Sequence, residues 1–427
     1  MEVRARYKQT ELGTIPEDWE VKPLAGLVAI KHGFGFQSQY FRPLGRYRLT
    51  TPGHFHETGG FRDVGDKQKY YDGPLPDGYL LKQGDLIVVM TEQADGLLGS
   101  AAEVPRSGTY LHNQRLGKIQ IDSPDLSAGF LYRVFNSEMY RARVRSTAAG
   151  TKVKHTSPSK LLQIPVPLPP TRLEQDAIAE AVTDAEALTE SLNHLIAKKR
   201  DLKQAAMQQL LTGETRLAGF CGDWLFRCLG QHCEFLRNGI NSRGELTGHG
   251  SVKYLHYGDI HLASGVRLDA SSMTMPFLPA EASLKLDRLR DGDLVVVDAS
   301  EDLDGIGKSV EICRAQDTEL VAGLHTIAIR FNQSVMANGF KAYLQFCPPF
   351  ARQLRRLAAG TKVFATTRAH ISSVEMALPG IQEQTAIATV LSDMDAEIEA
   401  LERRRDKTRA LKRAMMQELL TGRTRLV

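Results

Sequence analysis

The stretch from Leu168 to Leu217, LPPTRLEQDAIAEAVTDAEALTESLNHLIAKKRDLKQAAMQQLLTGETRL, occurs twice in this chain. Its second copy runs from Leu378 to Leu426 and reads LPGIQEQTAIATVLSDMDAEIEALERRRDKTRALKRAMMQELLTGRTRL. The pair Glu174-Gln175 matches Glu383-Gln384 at an offset of 209 residues, and both copies end on LLTG followed by TRL. An internal repeat of this length determines the architecture and is therefore interpreted first.

Both copies have the apolar spacing of a long helix that packs against a partner. Apolar residues recur at alternating steps of three and four, as in the seam of a coiled coil. The seam predicted for the first copy consists of Ile178, Ala181, Ala185, Leu188, Leu192, Leu195, Lys199, Leu202, Ala206 and Leu210. The seam predicted for the second copy consists of Ile387, Val390, Met394, Ile398, Leu401, Leu411, Met415 and Leu419, with Arg404 and Thr408 as polar interruptions.

Local signals mark the ends of these helices. Thr171 followed by Glu174 has the spacing of a capping box and predicts the start of the first helix. Gly213 and Gly422 predict the ends, because glycine readily adopts the left-handed conformation that terminates a helix. A helix from Glu174 to Leu211 would be a rod about 55 Å long. Because an apolar stripe on an isolated rod would stay in water, we expect the two copies to pair with each other.

The segments on either side of the helices also repeat, and they are rich in strand signals. The sequence GDLIVVM at Gly84 to Met90 reappears as GDLVVVD at Gly292 to Asp298, and each predicts a strand buried on both faces. A helix is predicted from Leu126 to Ser146, ahead of the sequence AAGTK at Ala148 to Lys152. That pentapeptide returns at Ala358 to Lys362.

The repeats divide the chain into four segments. We predict a first globular domain over residues 1–167, a central helical repeat over 168–217, a second globular domain over 218–377 and a C-terminal helical repeat over 378–427. The predicted fold class is α+β, with two similar globular domains, two long paired helices and an approximate two-fold symmetry. This design suits a target that itself consists of two parts.

Composition and charge restrict the class of protein. Of the 427 residues, 42% are hydrophobic and 24% are charged, which are ordinary values for a globular protein. Apolar stretches of about 18 residues are absent and the N-terminal residues lack the apolar core of a secretion signal, so we expect a cytoplasmic location. The net charge of +4 permits a polyanionic partner without requiring one. The 5 cysteines lack a zinc-ligand spacing, which favours reduced thiols.

The order of these motifs resembles the specificity subunit of type I restriction-modification systems, over essentially the whole chain. The opening GTIPEDWE at Gly13 to Glu20 and the two GDL strands carry this resemblance. The repeated AAGTK, the proline-containing exits from the globular domains, the two Glu-Gln pairs and the endings LLTGETRL and LLTGRTRL complete it. Each motif is weak alone, but together and in this order they are specific.

The resemblance implies a non-catalytic subunit that reads DNA. Two target recognition domains would each bind one half of a bipartite sequence in double-stranded DNA. An antiparallel pair of helices would set the length of the spacer and dock two methyltransferase subunits, which restriction subunits join in the full complex. S-adenosylmethionine is expected in the partner methyltransferase, whereas no cofactor and no metal are expected in this chain.

Candidate DNA contacts lie in loops of both globular domains. Base edges are read by side chains with paired donors and acceptors, and phosphates are bound by basic and small polar residues. The predicted DNA-binding residues are Arg42, Arg46, Lys67, Gln93, Lys152, Arg237, Asn238, Arg243, Ser300 and Lys362. Gln93 and Ser300 belong to loops that follow the buried strands. For the AAGTK residues Lys152 and Lys362 the alternative is a helix C-cap, and for most of the others it is solvated surface.

Two near-motifs for catalysis are incomplete. Cys347-Pro348-Pro349-Phe350 resembles the signature of amino-methyltransferases, but cysteine is a poor hydrogen-bond acceptor for the target amine. Gly307-Lys308-Ser309 resembles the end of a phosphate-binding loop, but Asp302 stands where that loop requires glycine. We therefore expect this chain not to be an enzyme. The alternative function is a coiled-coil scaffold whose duplicated domains bind proteins.

Overall fold

The computed structural model describes residues 6–93, 96–106, 108–263, 265–300, 305–358 and 364–426. The contacts within it divide the chain into two units. Unit 1 comprises Met1–Ser191 and Arg405–Val427, and unit 2 comprises Leu192–Arg404. Each unit therefore contains one globular part and segments of both long helices. Among the described residues, every helix is too short or too polar to cross a lipid bilayer.

Unit 1 combines short strands with short helices. Its strands are β1 (Tyr7–Thr10), β2 (Gly13–Pro16), β3 (Glu20–Pro23), β4 (Val28–His32), β5 (Phe41–Arg42), β6 (Tyr47–Leu49), β7 (Tyr70–Tyr71), β8 (Leu86–Val89), β9 (Thr91–Glu92), β10 (Ala101–Glu103), β11 (Tyr110–Leu111), β12 (Leu116–Ile121), β13 (Lys154–His155) and β14 (Pro165–Leu168). Its helices are α1 (Ala128–Phe135), α2 (Glu138–Ser146), α3 (Pro158–Leu162) and the first part of α4 (Arg172–Leu210).

The central sheet of unit 1 has the strand order β10-β8-β12-β4, with antiparallel pairing throughout. All positions of β8 are buried, which confirms the prediction for GDLIVVM. Because successive side chains of a strand point to opposite faces, Val88 packs into the same apolar cluster as α1, whereas Ile87 and Val89 pack into a second cluster. The sheet is thus covered on both sides.

Unit 2 repeats this plan. Its strands are β15 (Leu225–Cys228), β16 (Cys233–Phe235), β17 (Val252–Leu255), β18 (Arg267–Asp269), β19 (Phe277–Leu278), β20 (Leu294–Val297), β21 (Ala299–Ser300), β22 (Ser309–Cys313), β23 (Leu320–Ala322), β24 (Thr326–Phe331), β25 (Phe364–Ala365) and β26 (Glu375–Leu378). Its helices are the second part of α4, α5 (Tyr257–Leu262), α6 (Ala280–Ser283), α7 (Pro348–Leu357), α8 (Arg368–Ser372) and most of α9 (Ile381–Leu419), of which the remainder belongs to unit 1.

The central sheet of unit 2 has the order β16-β24-β20-β22-β18. Its strand β20 is buried at every position, so the prediction for GDLVVVD is also confirmed.

The helix predicted from Leu126 to Ser146 is wrong as a single helix, since unit 1 has α1 and α2 there. The hydroxyl of Ser137 accepts a hydrogen bond from the backbone N–H of Tyr140 at 3.2 Å and so caps a new helix after a two-residue break.

The long helices pair in antiparallel fashion inside each unit. In unit 1, Glu186 of α4 forms an ion pair with Lys412 of α9 at 2.6 Å. In unit 2, Lys199 of α4 forms an ion pair with Glu397 of α9 at 2.7 Å. Early residues of one helix therefore face late residues of the other. The predicted α+β fold with a coiled-coil pair is confirmed, and the glycines at both helix ends, Gly213 and Gly422, have positive φ angles of 76° and 68°.

Every second residue of the seam predicted for α4 faces inward, as expected. At each position between them, the inward residue is the one that follows the predicted residue in the chain. The inward row of α4 runs through Ile178, Val182, Ala185, Thr189, Leu192, Ile196, Lys199, Lys203, Ala206 and Leu210. The predicted residues Leu188, Leu195 and Leu202 are exposed. In α9, Leu391 is buried instead of Val390, Thr408 is buried in the seam, and Arg404 is exposed. Ion pairs with the facing helix allow lysines to occupy positions that hydrophobicity alone assigns to leucine.

Candidate DNA-recognition interface

A short ladder in unit 1 brings two predicted DNA-binding residues to one place. Strand β9 pairs with β13, so that Glu92 faces Lys154 and Thr91 faces His155. Gln93 follows β9 directly and Lys152 precedes β13 by two residues, so they lie at the same end of the ladder, and both are exposed. The C-cap alternative for Lys152 is wrong, because α2 ends at Ser146, before the AAGTK sequence begins.

The loop that starts at Gln93 is anchored by buried charged groups. The carboxylate Oε2 of Glu92 accepts hydrogen bonds from the backbone N–H groups of Leu97 and Leu98 at 2.7 and 2.6 Å. From the other side, the guanidinium of Arg141 donates to the backbone carbonyls of Gly96 and Glu57. Burial lowers the pKa of Arg141 from its ordinary value. These contacts fix the backbone at Gly96, Leu97 and Leu98, a few residues after exposed Gln93.

Unit 2 contains the equivalent ladder with different side chains. Strand β21 pairs with β25, so that Ser300 faces Phe364 and Ala299 faces Ala365. The same tertiary hydrogen bond supports both ladders, from Thr156 N–H to Met90 O at 2.9 Å in unit 1 and from Thr366 N–H to Asp298 O at 2.7 Å in unit 2. The side chains that flank the ladder therefore differ between the units, whereas the backbone arrangement is shared.

The remaining predictions at this ladder are not equally placed. Ser300 is buried, unlike Gln93. Lys362 lies outside the residues that the structure describes, as do residues 301–304, which follow Ser300 in the chain. The assignments of Ser300 and Lys362 to DNA binding stay predictions.

The other candidates of unit 1 surround a small sheet with the order β11-β6-β7-β5. Arg42 lies on the edge strand β5, opposite Tyr70, and donates hydrogen bonds to the carbonyls of Gln39 and Phe41 at 2.9 and 3.0 Å. The exposed Arg46 guanidinium lies 5.1 Å from the ring centre of Tyr47. Exposed Lys67 ends a 3-10 turn that leads into β7. Arg42 and Arg46 thus each lie next to an aromatic residue of this small sheet.

In unit 2, Arg237 and Arg243 are held by carboxylates. Arg237 binds Asp287 through Nη2 and Nε at 2.9 and 3.2 Å, and this hydrogen bonding lowers the pKa of Asp287 to about 2. Arg243 donates to buried Asp259 at 3.0 Å. Both arginines are exposed, and a guanidinium has five N–H donors, so donors remain for another acceptor.

Both the donor and the acceptor of the Asn238 side chain form hydrogen bonds inside unit 2. Its amide N–H donates to the carbonyl of Gly323 at 3.3 Å, and its Oδ1 accepts from Arg368 at 2.9 Å. Arg368 also donates to the carbonyl of Leu236 at 2.8 Å. Asn238 therefore fixes the loop that carries Arg237, and its direct contact with a base stays a prediction.

His325 is a further candidate in unit 2 that the sequence analysis did not select. It is one of two non-glycine residues among those described that have a positive φ angle, here 57°. Its Nδ1 lies 3.2 Å from Oδ1 of Asp298, and its ring is 5.4 Å from that of Tyr257 at 89°. Asp298 directly precedes β21, so the histidine lies beside the ladder. The sequence contains no motif that singles out this histidine, because the backbone conformation of one residue cannot be read from its identity.

The near-motifs have structural roles. Cys347 is fully buried at the start of α7, and burial raises the pKa of its thiol to about 12. Lys308 donates to the carbonyl of His261 at 2.8 Å. These contacts give both groups a role in the fold of unit 2.

The repeated Glu-Gln pairs join each globular part to a helix start. Oε1 of Gln175 accepts from the backbone N–H of Ser127 at 2.8 Å, at the cap of α1. Oε1 of Gln384 accepts from the backbone N–H of Ala337, also at 2.8 Å. Thr171 accepts from the N–H of Glu174 at 3.2 Å, so the predicted helix start is confirmed. In each pair, the side-chain amide of the glutamine thus satisfies a backbone group of the globular part from the start of a long helix.

Comparisons with known proteins agree with this architecture. Residues 16–199 match the family model described as the type I restriction modification DNA specificity domain. Two relatives come from Methanocaldococcus jannaschii. The MjaX type I restriction enzyme specificity subunit is 23% identical, with 98% of this chain and 97% of the relative covered. The MjaVIII specificity subunit is 24% identical, with 81% of this chain and 80% of the relative covered.

The fold is also shared with a solved structure. The crystal structure of the type I restriction-modification system S subunit from M. genitalium is 13% identical, covers 98% of both chains and has a TM-score of 0.57. At that identity the likeness concerns the fold alone. The family match over residues 16–199, the near-complete coverage of one relative and the shared fold all agree that this chain is similar to type I restriction-modification DNA specificity subunits.

Proposed function

We propose that each unit of this chain reads one half of a bipartite double-stranded DNA target. The observation that carries the proposal is the shared ladder with different side chains. Exposed Gln93 and Lys152 lie at the end of the ladder in unit 1, whereas exposed His325 lies beside the ladder in unit 2. A constant backbone that presents different donors and acceptors is what two different half-targets require, because base edges are distinguished by their donor and acceptor patterns.

The paired helices would set the spacer between the halves. Helix α4 has 39 residues and therefore a length of about 58 Å. Two-fold readers of B-DNA contact half-sites separated by about one helical turn or multiples of it, roughly 34–36 Å per turn. A helix of this length is sufficient for such a separation.

The same helices would dock two methyltransferase subunits. Leu195 and Leu202 of α4 lie in unit 2, seven residues apart, and their side chains are exposed beside the inward row. Leucines repeated at that spacing form an apolar stripe, which in a soluble protein commonly marks a contact surface. The partner subunits would carry S-adenosylmethionine and the methyl transfer, and restriction subunits would join them in the full complex. In this proposal the chain itself contributes recognition and assembly, not catalysis.

Co-expression with the methyltransferase of the same system tests this function. Modified adenines are mapped across the DNA of the host cell, and we expect one gapped motif with a modified adenine in each half. Unmodified DNA from an intact, purified complex would contradict the proposal. Exchanging residues 20–165 for those of another family member provides the internal control, since only one half of the motif should change.

A further inference from the structure

A carboxylate in unit 1 connects the globular part to both long helices. Oε2 of Glu186, on α4, lies 2.7 Å from Nη1 of Arg133 on α1. Oε1 of the same residue lies 2.6 Å from Nζ of Lys412 on α9. Arg133 also donates to the hydroxyl of Thr183, one turn earlier on α4, at 2.9 Å. One side chain thus joins three elements of unit 1.

Unit 2 has the same three-way bridge. Oδ2 of Asp395, on α9, accepts a hydrogen bond at 3.0 Å from the hydroxyl of Tyr343, in the 3-10 helix Lys341–Phe346 of the globular part. Its other oxygen forms an ion pair with Lys203 of α4. The lysine nitrogen is also 5.8 Å from the ring centre of Tyr343.

The two bridges occupy equivalent positions of the repeat. Glu186 and Asp395 are separated by the repeat offset of 209 residues, as are Lys203 and Lys412. The globular partner differs, because an arginine in unit 1 corresponds to a tyrosine in unit 2. The three-way bridge is therefore present in both units although its partner in the globular part changed from arginine to tyrosine. This indicates that the bridge itself is required.

We propose that Glu186 and Asp395 are positioning residues that fix the orientation of each globular part on its helices. They thereby determine how strictly the complex enforces the spacing between the two half-targets. This inference rests on the proposed function, since it presumes a bipartite target.

Charge and burial indicate that the links are stiff. The side chain of Arg133 is only 8% exposed and that of Lys203 only 14% exposed, so both cations depend on their carboxylate rather than on water. In unit 2, burial and the adjacent Asp395 raise the pKa of Tyr343 above its ordinary value. The phenol therefore stays protonated and donates the hydrogen bond. Hydrogen bonds to charged groups are stronger and more directional than neutral ones.

The experiment uses the complete methyltransferase complex and DNA substrates of native spacer length or with one base pair added or removed. The variants Glu186→Gln and Asp395→Asn remove the charge at a nearly constant volume. Exposed carboxylates on the same helices provide matched controls, Glu180→Gln on α4 and Asp393→Asn on α9. The measured quantity is the ratio of methylation rates on native and altered spacers.

We expect this ratio to fall by about tenfold in the bridge variants and to stay unchanged in the controls, since a charge-assisted hydrogen bond shifts an equilibrium by roughly that factor. Tyr343→Phe removes a single hydroxyl and keeps the packed ring, so it tests the link in a folded protein even where a charge variant does not fold. An equal loss of rate on all spacers, or an unchanged ratio in Tyr343→Phe, would overturn the inference. A wild-type complex without any gapped motif would instead contradict the proposed function.

Discussion

Arg425 forms a bidentate ion pair with Glu174, which lies 251 residues earlier in the chain. The Nε and Nη2 atoms lie 2.7 and 2.8 Å from the two carboxylate oxygens, and Nη1 lies 2.9 Å from both oxygens of Asp18. In unit 2, Arg216 binds Glu383 in the same way. The arginine of each TRL ending thus binds the glutamate at the start of the other long helix, which explains why both motifs are repeated.

Loss of this arginine should destabilise the protein strongly. The Glu174 side chain is only 1% exposed, so Arg425→Ala leaves a buried carboxylate without its partner, at a cost of about 3–5 kcal/mol. Urea unfolding of unit 1 followed by tryptophan fluorescence measures the change, because Trp19 packs beside Gly422. Arg423→Ala is the matched control, since its ion pair with Glu418 is long and exposed. Equal effects of the two substitutions would show that the buried pair contributes no more than a surface pair.

Substitutions at the ladder of unit 1 should separate base reading from phosphate binding. Lys152→Ala should weaken binding to all sequences and reduce the salt dependence by about one counterion. Gln93→Ala should instead relax one half of the motif, by about 1–3 kcal/mol of discrimination. Binding measured at several salt concentrations on matched and mismatched DNA distinguishes the two effects. Lys22→Ala, on β3 in the same unit, is the control and should change neither property. If Gln93→Ala altered the half of the motif that unit 2 reads, the assignment of Gln93 to base reading by unit 1 would be contradicted.

His325 should contribute to reading by unit 2 at the expense of backbone stability. His325→Gly removes the strain of a side chain at a φ angle of 57°, and we expect it to stabilise unit 2 by up to about 1 kcal/mol. We expect the same variant to relax the second half of the motif and to leave the first unchanged. Thermal unfolding and motif mapping of one purified variant give both results. His249→Ala, on an exposed loop of the same unit, should change neither, and a stabilised variant with an unaltered motif would exclude a reading role.

Two adjacent residues of α4 should separate helix pairing from docking. Ile196 is 2% exposed and Leu195 is 39% exposed. Ile196→Ala should cost about 2–5 kcal/mol of stability, because it leaves a cavity in the packed seam. Leu195→Ala should leave unfolding nearly unchanged and weaken assembly with the methyltransferase, as measured by analytical ultracentrifugation of the mixed subunits. Assembly that is unaffected by Leu195→Ala and by Leu202→Ala would remove this stripe from the docking surface.

The seam illustrates the limit of periodicity. Both Leu188 and Thr189 fit a helix that packs on one side, and a pattern of hydrophobicity prefers the leucine. The structure turns Thr189 inward instead of Leu188, and it turns Lys203 inward instead of Leu202 because Asp395 of α9 faces the lysine. The register of a helix pair depends on which side chains meet across the pair. The hydrophobic pattern of one helix taken alone does not contain that information.

The sequence alone determined the repeat, the two long helices, their glycine ends and the two buried strands β8 and β20. Each of these is a local property, since a few consecutive residues establish a helical or buried-strand pattern. Only the tertiary structure decided which charged groups are partners. Arg237 binds Asp287, Arg425 binds Glu174, and Glu186 joins Arg133 to Lys412. These choices depend on distances in space between residues far apart in the chain, so no local spacing could have specified them.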